Sequence, residues 1–121
     1  MTQAPKAKPR DLEERTLAFA ASVRALVRGL PRTLANFEDA RQAIRASGSV
    51  GANYIEANER LSKKDFILRL RISRKEAKEC RYWLRLLDVR GNVDLENQRQ
   101  GLVQECTELL AILSTIITKC Q

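Results

Sequence analysis

The sequence predicts an all-α protein, an antiparallel up-down-up-down four-helix bundle. Three observations predict it. Apolar residues recur at alternating three- and four-residue steps through four segments of roughly 20–28 residues. The connections between those segments are short, and no stretch of alternating polarity offers a competing strand. The chain has 121 residues, 44% of them apolar and 31% charged, with only 5 Gly and 3 Pro. That is the composition of one folded, helix-rich domain. The domain is expected to span residues 10–121, after a flexible basic tail at residues 1–9 where Pro5, Lys6, Lys8 and Pro9 stand without apolar periodicity.

The first helix is expected to open at Asp11, with Glu14 three positions later as in a capping box, and to end near Gly29 and Pro31. Its stripe is Leu12, Thr16, Phe19, Val23, Leu26 and Leu30. The second helix is marked by Phe37, Ala40, Ile44, Ser47, Gly51, Tyr54 and Asn58. Its middle holds Ser47, Gly48, Ser49 and Gly51, a composition that also suits a loop; the periodicity on both sides favours a continuous helix. Small residues there would let a neighbouring backbone come close, at about 1 kcal/mol of helix propensity per Gly.

Ser62 and Asp65 signal the third helix, whose stripe of Phe66, Leu70, Ser73, Ala77, Cys80, Leu84 and Leu87 runs to a stop at Gly91-Asn92. The fourth opens at Asp94 or Leu95, with a stripe of Leu102, Cys106, Leu109, Leu113, Ile116 and Cys120. Beside it lies a second stripe, Val103, Leu110 and Ile117, edged by Leu109 and Ile112. An arc that wide is expected to be buried against another subunit, since a monomer would expose it as an adhesive patch; a wider intramolecular core is the alternative.

Charge is unevenly distributed. The chain carries a formal +7, and residues 62–90 hold ten Lys or Arg against four Asp or Glu, while residues 31–61 are neutral and 91–121 are net negative. Arg71, Arg74, Lys78, Arg81 and Arg85 recur at three- and four-residue steps and form one basic stripe over about 21 Å of the third helix. Such a stripe can follow a phosphate backbone, and its arginines suit bidentate phosphate contact. It can also be the solvated face of a bundle helix, partly neutralised by Glu76 and Glu79. No helix-turn-helix pairing, zinc knuckle or aromatic strand motif is present, so any nucleic-acid binding is expected to tolerate sequence.

Catalytic chemistry finds little support. The absence of histidine removes the commonest general base and the usual zinc ligand. Asn53, Glu56 and Glu59 near the end of helix two, and Glu76 and Glu79 in helix three, offer carboxylates for metal or acid-base work. Two-metal carboxylate bundles, however, use Glu-x-x-His motifs. Folding helices two and three about Arg60-Leu61 sets Arg45 opposite Glu76, where an ion pair is the simpler account. The chain is therefore read as non-enzymatic, without catalytic residues, metal or cofactor.

Cys80, Cys106 and Cys120 occupy apolar positions and read as small core residues. Cys106 and Cys120 are about 21 Å apart along one helix and cannot pair; the turn at Gly91 to Asp94 brings Cys80 near Cys106. Tyr82 and Trp83 stand beside Arg81 and Arg85, where aromatic rings can stack on exposed bases, although Trp83 aligns with Ile72, Glu76 and Leu86, which favours a subunit or intrahelical contact. No apolar run approaches the roughly 18 residues of a membrane span, and the start lacks a secretory segment, so a cytoplasmic protein without membrane contact is expected.

Four segments also carry a resemblance: Arg41-Gln42; Ser49-Val50-Gly51-Ala52-Asn53-Tyr54-Ile55-Glu56-Ala57; Ser62-Lys63-Lys64-Asp65-Phe66; and Lys75-Glu76-Ala77-Lys78-Glu79-Cys80-Arg81-Tyr82-Trp83-Leu84. Together, from about Asp11 to the C-terminus, they resemble the bacterial four-helix bundle proteins first noticed within intervening sequences of 23S rRNA genes. The resemblance implies a homopentamer. That family is in turn similar to the accessory variability proteins of diversity-generating retroelements, basic pentameric bundles that bind a reverse transcriptase and nucleic acid. The implied partners are thus further copies of the chain, RNA or DNA, and a reverse transcriptase or other protein client. Asn53 and Glu56 are implied to be a family signature of structural value.

Overall fold

A computed structural model describes residues 9–121. It contains four helices: α1 (Pro9–Arg28), α2 (Leu34–Asn58), α3 (Lys63–Leu86) and α4 (Val93–Cys120). Residues 1–8 of the expected basic tail lie outside the described residues. Helices consecutive in sequence pack side by side and antiparallel, and α1 also meets α4, which closes the square. The expected four-helix bundle is the architecture observed.

Each junction has a local cause. Thr33 caps α2 by accepting from the Asn36 backbone N–H at 3.1 Å, and Ser62 caps α3 by accepting from the Asp65 N–H at 3.0 Å. Asn92 caps α4 by accepting from the Leu95 N–H at 3.0 Å, so that helix opens just before the expected Asp94. Side-chain oxygens here satisfy amides that the first helical turn leaves without partners. Asp11 is not a cap. It lies within α1, whose described residues begin at Pro9, in the first described turn, where the helix dipole favours an acid.

α3 ends at Leu86, earlier than the expected stop at Gly91-Asn92. Beyond it Arg90 (φ 51°) and Gly91 (φ 70°) turn the chain through the left-handed region, which glycine adopts without steric cost. The buried Asn36 side chain fixes this segment. Its amide donates to the Asp88 carbonyl at 2.8 Å and the Pro31 carbonyl at 3.0 Å, and its carbonyl oxygen accepts from the Asp88 N–H at 2.9 Å. One side chain thereby joins the α1–α2 corner to the α3–α4 corner.

The core is filled by unequal helices. α1 and α4 contribute mostly large residues, among them Leu12, Phe19, Leu26, Leu102, Leu109 and Leu113, whereas α2 contributes Ala40, Ala43, Ala46, Ser47, Gly51 and Ala57. Small residues let helices approach closely, and α2 and α3 share the most extensive contact in the bundle. Ser73 donates to the Val50 carbonyl at 2.7 Å across that contact. The continuous second helix is observed: Gly48 and Gly51 lie within α2, and Gly51 faces Thr16 of α1. Phe37, expected in the stripe, is 63% exposed. The neighbouring Asn36 takes the inward position because both corner backbones need its hydrogen bonds.

Of the second stripe on α4, Ile117 is taken up within the chain, while Val103 and Leu110 stay partly accessible. Ile117 is 3% exposed and belongs to the core, and Val103, Ile112 and Ile116 pack against it. Leu110 is half-buried. Two faces of α4 are used because it packs on both α1 and α3. The exposed large apolar residues instead lie elsewhere, including Leu17 on α1, Phe37 and Ile55 on α2, and Leu68 and Leu86 on α3.

By length and composition α4 meets the requirement for a bilayer-crossing helix, with a mean hydropathy of 1.3 over 18 residues. This corrects the expectation that no segment approaches that composition. Arg15 of α1 reaches Glu105 of α4 at 2.7 and 2.9 Å and Glu108 at 2.8 Å, so carboxylates and an α1 cation meet on this same helix.

Candidate nucleic-acid interface

The five expected cations share the side of α3 that leans toward α4. Arg74 and Arg81 are half-buried and Arg71, Lys78 and Arg85 are exposed. Arg74 donates to the Ser114 hydroxyl at 3.3 Å and Arg81 to the Thr107 hydroxyl at 3.1 Å, which anchors the inner line of guanidinium groups on α4. The exposed Arg71, Lys78 and Arg85 lie beside them. Thr107 and Ser114 were not singled out from sequence, although they continue the 103, 107, 110, 114 spacing along the α3-facing side of α4.

The electrostatics of the stripe depend on where the nearby acids go. Glu76 and Glu79, the candidate counterions on α3, both turn to Arg45 of α2, at 3.2 and 3.0 Å. Arg45 is held above the usual guanidinium range, chiefly by its hydrogen bond to Glu76. Among the described residues none of Arg71, Arg74, Lys78, Arg81 and Arg85 takes part in an ion pair. Five unneutralised cations along a helix concentrate positive potential on that face. Glu96 of α4, near Arg85, is paired with Arg99 and also accepts from Gln100 at 2.7 Å. Those contacts, Gln100 first, hold its carboxyl below the usual range.

Among the described residues no group of three or more His, Cys, Asp or Glu side chains converges. Asn53 donates to the Ser49 carbonyl at 2.9 Å and accepts from Arg69 at 3.5 Å, a link between α2 and α3. Glu56 is exposed. Cys80 and Cys106 are both fully buried, and the Cys80 thiol donates to the Ala43 carbonyl at 3.5 Å, while Cys120 is partly accessible. The Cys106 thiol, together with burial, pushes the Cys80 thiol well above its ordinary value.

Trp83 packs against the core cluster of its own chain, a wider contact than the expected subunit or intrahelical one. Its indole N–H is buried without a hydrogen-bond partner among the described residues. Tyr82 behaves differently: it is 58% exposed, and its ring meets Trp83 edge to face with centroids 5.2 Å apart.

Comparison with known proteins places this bundle. No protein of curated function matches the chain. A crystal structure from Bacteroides thetaiotaomicron, described as a protein of unknown function from the S23 ribosomal protein family, is 33% identical. It covers 93% of this chain and 99% of its own length, with a TM-score of 0.79. The family described as 23S rRNA-intervening sequence protein matches residues 11–115, the whole bundle short of the last turn of α4. The chain therefore belongs to the 23S rRNA-intervening sequence protein family.

Proposed function

We propose that this protein is a non-enzymatic, self-associating cytoplasmic bundle that binds the RNA or DNA backbone through Arg71, Arg74, Lys78, Arg81 and Arg85. It would serve as a scaffold in a ribonucleoprotein or retroelement-type complex. One observation carries the reading: the nearby carboxylates Glu76 and Glu79 are taken up by Arg45, and the five cations are left without acidic partners among the described residues. A merely solvated helix face gains nothing from keeping like charges unneutralised, whereas a phosphate backbone supplies the missing counterions.

Self-association is supported by the exposed apolar residues Leu17 and Ile55, which border a small-residue groove between α1 and α2, and by Leu68 and Leu86. A homopentamer is the assembly the resemblance implies. Several copies would present several stripes, and modest contacts per subunit would add as avidity.

The test is a fluorescence anisotropy titration with RNA and DNA at several salt concentrations, with the particle mass measured by light scattering on the same sample. Micromolar or tighter binding that weakens steeply with salt is expected, and Arg74→Glu with Arg81→Glu should abolish it while the helical circular dichroism is retained. An intact oligomer that binds nothing at low salt would refute the nucleic-acid reading and favour a scaffold for a protein client, since the exposed apolar residues would still require a partner. A monomeric mass would refute self-association.

A further inference from the structure

We propose that Tyr82 stacks on an unpaired base and so makes the basic stripe selective for single-stranded over double-stranded nucleic acid; this rests on the backbone-binding reading above. On a helix, residues three and four apart are surface neighbours. Tyr82 lies four residues after Lys78 and three before Arg85, so its ring stands between two exposed cations that lie about 10.5 Å apart along the axis. Cations gripping the phosphates on either side of a nucleotide would bring its base over that ring.

The ring is also held ready. Trp83, itself packed on the core cluster, meets Tyr82 edge to face and limits its rotation. A fixed aromatic ring loses little conformational entropy when a base settles on it. In a duplex both faces of each base are already covered by neighbouring pairs. There the ring adds nothing, and only the cations act. Unpaired bases expose their faces, and every base has one, so the selectivity is for strandedness and not for sequence.

The test compares a labelled 15-nucleotide single-stranded RNA with the same strand annealed to its complement, on the full chain. The single strand is expected to bind more tightly and to change the fluorescence of Trp83, the sole tryptophan. Tyr82→Ala should weaken single-strand binding roughly five- to hundredfold, the range for loss of one base–aromatic stack, and leave duplex binding unchanged. Tyr82→Phe should keep the wild-type preference. If Tyr82→Ala alters neither affinity, or both equally, while Arg74→Glu with Arg81→Glu still abolishes binding, stacking is refuted and the backbone reading stands. If neither RNA binds at low salt, both are refuted.

Discussion

Gly51 of α2 lies so close to Thr16 of α1 that a Cβ on Gly51 would stand 2.8 Å from the Thr16 Oγ1 and 3.1 Å from its Cβ. Thr16 has no freedom to retreat, because its hydroxyl donates to the Leu12 carbonyl at 2.7 Å and its residue is 3% exposed. Gly101 of α4 presents the opposite case, with no heavy atom near its missing Cβ. Gly51→Ala should lose about 1–2 kcal/mol of stability, since overpacking outweighs the helix propensity gained, whereas Gly101→Ala should gain roughly 0.5–1 kcal/mol. Urea denaturation of the two variants checks this; equal gains at both sites would show that the close approach is not tight.

Asn36 contributes through three hydrogen bonds to two corners of the bundle. Asn36→Ala leaves the Asp88 backbone without that partner and should cost about 2–3 kcal/mol. Asn36→Asp keeps the acceptor but sets a carboxylate against two carbonyl oxygens, so it should be at least as destabilising. Thermal melts of both variants provide the check, and an Asp variant as stable as wild type would contradict the assignment of the amide.

Arg45 answers two acids at once, and one of them, Glu76, is 8% exposed. Removing it leaves a nearly buried carboxylate unpaired. Arg45→Ala should therefore destabilise the bundle by about 1–2 kcal/mol, below the cost of breaking a fully buried pair because Arg45 itself is half exposed. Arg45→Ala combined with Glu76→Gln should recover part of the loss. Additive losses in that double-mutant cycle would contradict the pairing.

Alkaline pH should weaken the protein. In the folded state the Cys80 thiol is raised above its ordinary value of 9.0 by its contact with Cys106 and by burial. The folded chain therefore holds that proton after the unfolded chain has released it. The associated stability is present below pH 9 and declines above it, by up to about 1.4 kcal/mol per pH unit for one proton. Burial raises the Tyr54 hydroxyl as well, in the same sense. Guanidinium titrations between pH 8 and pH 10.5 should show a shallower decline for Cys80→Ala than for wild type. Identical slopes would mean that Cys80 is not responsible.

The architecture was legible in the sequence because it rests on local chemistry repeated along the chain. The start signal at Ser62 acts on an amide three residues ahead of it, and the apolar periodicity marks each buried face; the Thr33 and Asn92 caps work the same way but were not read from the sequence. The basic stripe was legible for the same reason: helical geometry alone puts Arg71, Arg74, Lys78, Arg81 and Arg85 on one side. Pairing Arg45 with Glu76 needed only the additional assumption of a hairpin between α2 and α3.

What tertiary structure decided is which of several equally periodic residues faces inward, and which charge meets which. Phe37 has the greater hydrophobicity, yet Asn36 is buried because two distant backbone segments converge on it. Ile117 reads from sequence as part of an outward stripe, yet a helix packed against two neighbours buries more than one of its faces. Glu79 stands one position from Lys78 in the chain and nonetheless serves Arg45 across the helix pair. Periodicity gives angles about one helix axis, while burial and counterion choice depend on where the other three axes lie, and that information is carried only by the packed bundle.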